Sequence, residues 1–426
     1  MKKPILTLLA LVSAFSANAQ VSLKDVQEDP CQSANQLRCY PVSEIVPLTP
    51  APKGYSPFYM YYIGRHGSRY LTRESQYKEP LQALEAAHDA GALTEKGEDV
   101  LRRVRVINDE ARGRVGALTQ VGVKQLHGIA ERMFANFPQI FMGETEVDAR
   151  STEVARVVLT MCAWSERMKE LNPKLNIIRE SGDHDGFEWG GNTPDMKQFG
   201  SGSAPGLRAA QIRDESLQPE RLEKILFKKP SKYVKDSGLD TKEFMFQLYQ
   251  LASGAQSIDL PVEEYGLYDI FTPEELYNMS RITNYEIYYK YGASPETRLA
   301  KAPMGVPMVQ HLVRHADEAV AAGVPYATMR FCHDGNVGPF AAFLRVPFAV
   351  GTEVDPHVVS DFYSASDVVP MATNIQFVFF HNADNDVIVK VLFCEKEVRL
   401  PAETDMFPYY KWSDLREYLV SLTDVK

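Results

Sequence analysis

The sequence predicts an α/β fold, a mainly parallel sheet flanked by helices with a helical cap inserted into it. Three observations point there. Short apolar, β-type runs alternate with stretches of helical spacing toward both ends of the chain, the pattern of strands joined by crossover helices. Phe58 to Ile63 is a continuous apolar and aromatic run closed by Gly64, which suits a buried strand. Between about residues 165 and 305 the strand signals stop, and loops rich in Gly, Asp and Pro (Ser181 to Gly206) lead into polar amphipathic helices.

Taken in order, residues 21 to 56 are Pro-rich and irregular, with Pro41, Pro47, Pro50 and Pro52. After the first strand, residues 118 to 136 carry helical spacing, and Glu146 to Ala149 reads as a strand running into a helix from Ser151. Ser151 or Thr152 would cap that helix, with Glu153 in its first turn. Helices follow at 240 to 253 and 273 to 291. Pro307 to Ala322 is helical, with the proline suited to a first turn, Ala327 to Cys332 is a strand, and Gly338 to Leu344 starts another helix. Asn374 to Phe380 and Val387 to Cys394 flank a polar turn and read as a hairpin. The expected division is a core of residues 20–165 and 305–426 with a helical cap of residues 166–304. In such a sheet, sites form at the carboxyl ends of strands.

Lys2 and Lys3, the apolar run Ile5 to Phe15 and the small-residue exit Ala17-Asn18-Ala19 make a secretory signal peptide, residues 1–19, cleaved after Ala19. The run is too short to span a bilayer. The mature chain is therefore expected outside the cytoplasm, periplasmic or secreted. A net charge of -10 argues against a nucleic-acid or anionic-membrane partner. An anionic substrate would need a few local cations instead. Of the five cysteines, Cys31 and Cys39 are spaced so that pairing after export is open, whereas Cys162, Cys332 and Cys394 lie in apolar segments. No cysteine spacing of metal type occurs, and no metal or cofactor is expected.

The chemistry is concentrated in Gly64-Arg65-His66-Gly67-Ser68-Arg69-Tyr70, directly after the first strand. Arginine forks bind phosphate oxygens in pairs, and a neutral imidazole is a nucleophile when its other nitrogen is held. Gly67 lets the backbone come close enough for a carbonyl to hold it. Two arginines around one histidine at a strand end make an anion pocket with a nucleophile inside. The second segment is Arg330-Phe331-Cys332-His333-Asp334-Gly335-Asn336, again a strand end before a helix. His333 can donate to a phosphate oxygen. Asp334, held protonated, can give its proton to a departing alkoxide. An N-cap is the plainer role for that aspartate.

Together these motifs resemble those of the histidine acid phosphatases, the branch of the histidine phosphatase superfamily that includes phytases, exported acid phosphatases and multiple inositol polyphosphate phosphatases. Arg65-His66-Gly67-x-Arg69 with the distant His333-Asp334 carries the resemblance. Leu118-Thr119-Gln120-Val121-Gly122-Val123-Lys124-Gln125 looks like the family's Leu-Thr-x-x-Gly-x-x-Gln segment, and Phe393 to Val398 like its last strand. The resemblance implies His66 as nucleophile, Asp334 as proton donor, and Arg65, Arg69, His333 and Arg150 (in Val147-Asp148-Ala149-Arg150-Ser151-Thr152) as phosphate ligands. It also implies an α/β core with an inserted helical cap. His333-Asp334-Gly335-Asn336 is similar to bacterial phytases and acid phosphatases, where inositol polyphosphate phosphatases often carry His-Ala-Glu. Arg69-Tyr70 is closer to the latter. The implied substrate is an anionic phosphate ester, an inositol polyphosphate first, with a broad acid or sugar phosphatase as the alternative. Arg73 and Lys78 are candidate extra cations. A mutase-like phosphotransferase and a noncatalytic phosphate-ligand receptor are the other readings.

Three further motifs are read as structural. His311 and His315 stand at i and i+4 without supporting ligands, so a solvated helix face is expected. Asp183-His184-Asp185 is a turn among glycines, and Gly200-Ser201-Gly202 with Gly206 lacks dinucleotide spacing.

Overall fold

The computed structural model describes residues 20–182 and 199–424. The predicted signal peptide and the Asp183-His184-Asp185 turn lie outside them. Eight strands form one sheet: β1 (Ser56–Arg65), β2 (Glu146–Ser151), β3 (Asn176–Ser181), β4 (Tyr326–Cys332), β5 (Asn374–His381), β6 (Val387–Phe393), β7 (Lys396–Glu397) and β8 (Tyr409–Lys411). They run in the order β3-β2-β4-β1-β5-β6-β7, with β8 paired to β6. β3, β2, β4 and β1 are mutually parallel, and the β5–β6 hairpin adds antiparallel to β1. The sheet is thus α/β with one antiparallel side, as predicted.

β1 is central and is hydrophobic on both faces because helices cover both. Tyr59, Met60, Tyr61, Tyr62 and Ile63 are fully buried. β1 and β4 are in register with Arg65 opposite Cys332, so the segments leaving their carboxyl ends emerge side by side. The backbone N–H of His66 prolongs the ladder by donating to the Cys332 carbonyl at 2.9 Å.

A second apolar core lies apart from the sheet. It gathers Leu84, Val100, Val104 and Ile107 with Leu222, Phe244, Leu248 and Met279. The helices that carry them are Ser75–Asp89, Glu95–Ala111, Glu220–Leu226, Thr241–Ala255 and Pro273–Lys290. The helical part is therefore built from two stretches of chain, one of them before residue 165. Conversely, the helix Ala155–Leu171 and β3 belong with the sheet, where β3 pairs along β2. Polar amphipathic texture marked the later stretch, but the earlier pair of helices has the same texture as helices that flank a sheet. Only packing distinguishes them.

Two helix starts also move. The helix of residues 302–322 begins at Ala302, with Pro303 in its first turn, and Pro307 is taken inside it. The helix after β4 begins at Asp334 (Asp334–Phe343) rather than near Gly338. Cys31 and Cys39 are separate thiols. No helix among the described residues is long and apolar enough to cross a membrane.

Candidate active site

The loop after β1 turns His66 inward, where it is 1% exposed. Its Nδ1 lies 2.9 Å from the carbonyl of Gly67. A carbonyl only accepts, so Nδ1 carries the proton and Nε2 keeps its lone pair. Burial, then Arg65, Arg69 and Arg156, hold the imidazole well below its usual pKa and so favour its neutral form.

That loop is braced from behind by the helix Gln120–Asn136. The Thr119 hydroxyl caps the helix by accepting from Gly122 N–H, and donates to the Ser68 carbonyl. Gln125 closes a pair of bonds, accepting from Ser68 N–H and donating to the Ser68 hydroxyl, both at 2.9 Å. Glycine is required on both sides of this contact. A Cβ on Gly67 would stand 2.7 Å from the Gly122 carbonyl oxygen, and one on Gly122 would meet Ser68 oxygen at 2.3 Å. The Leu118-to-Gln125 segment works as this brace.

Three guanidinium groups converge on His66. Arg65 is wholly buried and donates through Nη1 to the carbonyls of Gln36 and Val369, each at 2.6 Å. Arg69 donates to the Tyr70 carbonyl, and burial together with Arg65 pushes it down to about 10, still a cation. The third is Arg156, in the first turn of the helix Ala155–Leu171. One turn on, Thr160 accepts from the Gly67 N–H at 3.2 Å. Backbone carbonyls take the hydrogen bonds of Arg65 Nη1 and Arg69 Nη1, and Asp334 beside Arg65 offsets only part of the charge of the three guanidinium groups. Among the described residues, Arg65 Nε and Nη2, Arg69 Nε and Arg156 Nε are buried with no hydrogen-bond partner. Buried donors are rarely left so without a ligand to accept them.

His333 ends β4, its ring centroid 5.6 Å from that of His66. Arg156 Nη2 lies 3.4 Å from its Nδ1, and a guanidinium can only donate, so Nε2 bears the proton, with the Thr152 hydroxyl 3.1 Å away. Burial, with Arg156 beside it, pushes His333 down to about 4. His333 rather than Asp334 is the N-cap, its backbone N–H bound by Asn336 Oδ1. Asp334 Oδ2 sits 3.5 Å from Arg65 Nη2 and accepts from the Tyr291 hydroxyl at 3.0 Å. Burial would raise its pKa, but Arg65 and Arg69 outweigh that and hold it well below the carboxylate range.

Arg150 is not brought to this pocket. Its Nε donates to Asp148 at 2.9 Å and its Nη1 lies 2.6 Å from Glu180. The two-residue period of β2 puts Asp148 and Arg150 on one face, in register with Thr328 and Arg330 of β4. Arg330 pairs there with Asp148 at 2.7 Å and lies 3.4 Å from His311. That His311 is buried, not on a solvated helix face, and lies 3.0 Å from the Tyr61 hydroxyl. The helix expected from Ser151 starts at Ala155, which leaves the Thr152 hydroxyl 3.1 Å from His333 Nε2 instead of capping. Arg156 was missed because the strand-exit arginine drew the role. The available signal was Arg156 and Thr160 at i and i+4 on one helix face. Lys78 is spent on surface Glu74, at 2.8 Å.

Residues 60–394 match the sequence model of the histidine phosphatase superfamily (branch 2). The chain belongs to that family. It is a phosphatase by that membership. In fold it is similar to the multiple inositol polyphosphate phosphatase of Bifidobacterium longum in complex with inositol hexasulfate, with a TM-score of 0.75 and 18% identity over 91% of this chain and 97% of that one. The phytase from D. castellii is similar at a TM-score of 0.65 and 13% identity, over 92% and 85% of the two chains. Hafnia alvei phytase in complex with myo-inositol hexakis sulphate reaches 0.53 at 12% identity, over 88% and 98%. No curated protein matches in sequence.

The two arginines separate in a direct test. Arg156→Ala should weaken competitive inhibition by inorganic phosphate and cut kcat/KM by about 100-fold or more, the usual loss for a donor aimed at developing charge. Arg150→Ala should leave phosphate inhibition within about twofold of the parent. The reverse ranking would return Arg150 to the pocket.

Proposed function

We propose that the protein is an exported acid phosphomonoesterase that works through a phosphohistidine on His66 and acts on inositol polyphosphates. The observation that carries this is the set of buried guanidinium donors with no hydrogen-bond partner, Arg65 Nε, Arg69 Nε and Arg156 Nε, around a neutral imidazole whose Nε2 keeps its lone pair. A phosphoryl group asks for just this: its equatorial oxygens need fixed positive charge and its phosphorus an aligned nucleophile. Arg65, Arg69, Arg156 and His333 hold the phosphoryl oxygens. His66 Nε2 attacks phosphorus in line, the P–O ester bond breaks, and Asp334 gives its proton to the departing alkoxide. Water then attacks phosphorus, Asp334 takes its proton, the P–N bond breaks and phosphate leaves. The low pKa of Asp334 fits this cycle, because a bound phosphoryl dianion offsets the arginines and lets the carboxyl take up a proton. In the second half-reaction the same carboxylate is ready as a base.

The inositol polyphosphate reading draws on the likeness to the Bifidobacterium phosphatase and the phytases, together with Arg69-Tyr70. A broad acid or sugar phosphatase is the second reading, favoured by Lys78 being taken up by Glu74 on the surface.

Radioactive phosphate should become attached in acid-labile form during turnover, and His66→Ala should abolish both label and turnover. Label that persists in the His66→Ala variant rules out this nucleophile. Asp334→Asn should lower kcat/KM on an alkyl phosphate by about 100-fold more than on a nitrophenyl phosphate, whose leaving group needs little protonation. The alkyl kcat should fall as pH rises through the Asp334 pKa of the complex, because the transferable proton is then lost. A flat alkyl profile from about pH 4 to pH 8 removes Asp334 from the acid role. Protein recovered from the native host should begin at Gln20 and release phosphate faster from phytate than from glucose phosphate. The opposite preference decides for the sugar phosphatase, and an intact leader contradicts export.

A further inference from the structure

The mechanism uses Asp334 but leaves its nearest hydroxyl neighbour without a role. Tyr291 directly follows the helix Pro273–Lys290, on a different element from every other group around the acid, and packs against the sheet core. Its hydroxyl can only be the donor to the Asp334 carboxylate, and the bond is 3.0 Å. A second observation concerns the ring. A Cβ on Gly338, in the helix that Asp334 begins, would stand 2.5 Å from Tyr291 Cδ2 and 2.9 Å from Val369. The ring therefore lies flush on that helix through a gap only glycine leaves. Both contacts end at the same place, one fixing the hydroxyl and the other the ring.

We propose that Tyr291 is the positioning residue for proton transfer: with Arg65 it occupies Oδ2 of Asp334, so that Oδ1 presents the proton to the leaving oxygen. The inference rests on the reading of Asp334 as the acid and adds how that acid is aimed. Its consequence is that the segment leaving the helix Pro273–Lys290, not only the strand ends, contributes to the chemistry. The groups facing the carboxyl are Arg65 and Arg69 from the β1 loop, His66 beside them, Arg156 from its helix, and Tyr291. The neighbouring His333 and Cys332 complete the set. Tyr291 is uncharged and is the hydroxyl that donates to the carboxylate. Removing its hydroxyl thus leaves the pocket's net charge unchanged while freeing Oδ2.

Tyr291→Phe, assayed as the full-length enzyme, should lower kcat/KM on glycerol phosphate by about tenfold and change nitrophenyl phosphate by less than about twofold. The carboxylate loses a donor, its pKa rises, and the descending limb of kcat against pH on glycerol phosphate should move to higher pH. Gly338→Ala displaces the ring from its other side and should give the same alkyl-selective loss. Added to Asp334→Asn, Tyr291→Phe should change nothing further. Equal losses on both substrates with an unmoved limb would overturn the inference and leave Tyr291 a packing residue. If Asp334→Asn separates the substrates and Tyr291→Phe does not, the inference alone falls. If Asp334→Asn does not separate them, the acid and its positioning fall together.

Discussion

Three like charges, two of them buried and the third half-buried, lie within reach of one imidazole, and the surrounding structure is arranged to keep them there. Burying a guanidinium without a carboxylate is costly, and carboxylates would cancel the charge that the site needs. The protein resolves this mostly with backbone carbonyls, with Asp334 the carboxylate beside Arg65. Gln36 and Val369 hold Arg65 from segments more than three hundred residues apart, and Tyr70 holds Arg69. Carbonyls satisfy some of the donors and leave the net charge in place. The donors that remain are the ones a phosphoryl group can take, which is why an anion completes this pocket.

Holding the cations also sets what the histidine can be. Burial and positive neighbours both disfavour imidazolium, so His66 stays neutral, and the Gly67 carbonyl selects the tautomer. The same field would strip Asp334 of its proton if nothing opposed it. In the proposed cycle, charge brought by the substrate does so, which would tie protonation of the acid to occupancy of the pocket.

The loop geometry behind this tolerates little change. Gly67 and Gly122 meet backbone to backbone, Thr119 and Gln125 saturate Ser68, and Thr160 takes the Gly67 N–H. Each of these is a hydrogen bond or a steric limit on a loop that would otherwise have several conformations. Their common effect is to fix the direction of one side chain. The segment after the helix Pro273–Lys290 reaches the same place through Tyr291.

The sequence by itself determined the sheet class, the central strand, the Arg65-to-Arg69 loop as the place where charged groups gather, and its partner segment after β4. These are local properties: an unbroken apolar run, arginines at fixed offsets from one histidine, a strand end beside a helix start. The tertiary structure decided the rest. Arg150 and Arg156 are six residues apart and chemically identical, and only the strand alternation that turns Arg150 toward Asp148 and the helix start that turns Arg156 toward His333 separate them. The helices before residue 165 could not be told from sheet-flanking ones, because amphipathic spacing says that a face is buried and not against what. His311 was hidden for the same reason, since a polar side chain in a helix gives no sign that Tyr61 and Arg330 wait on the facing strands. Which partner a side chain meets depends on chain separated by hundreds of residues, and no local pattern encodes it.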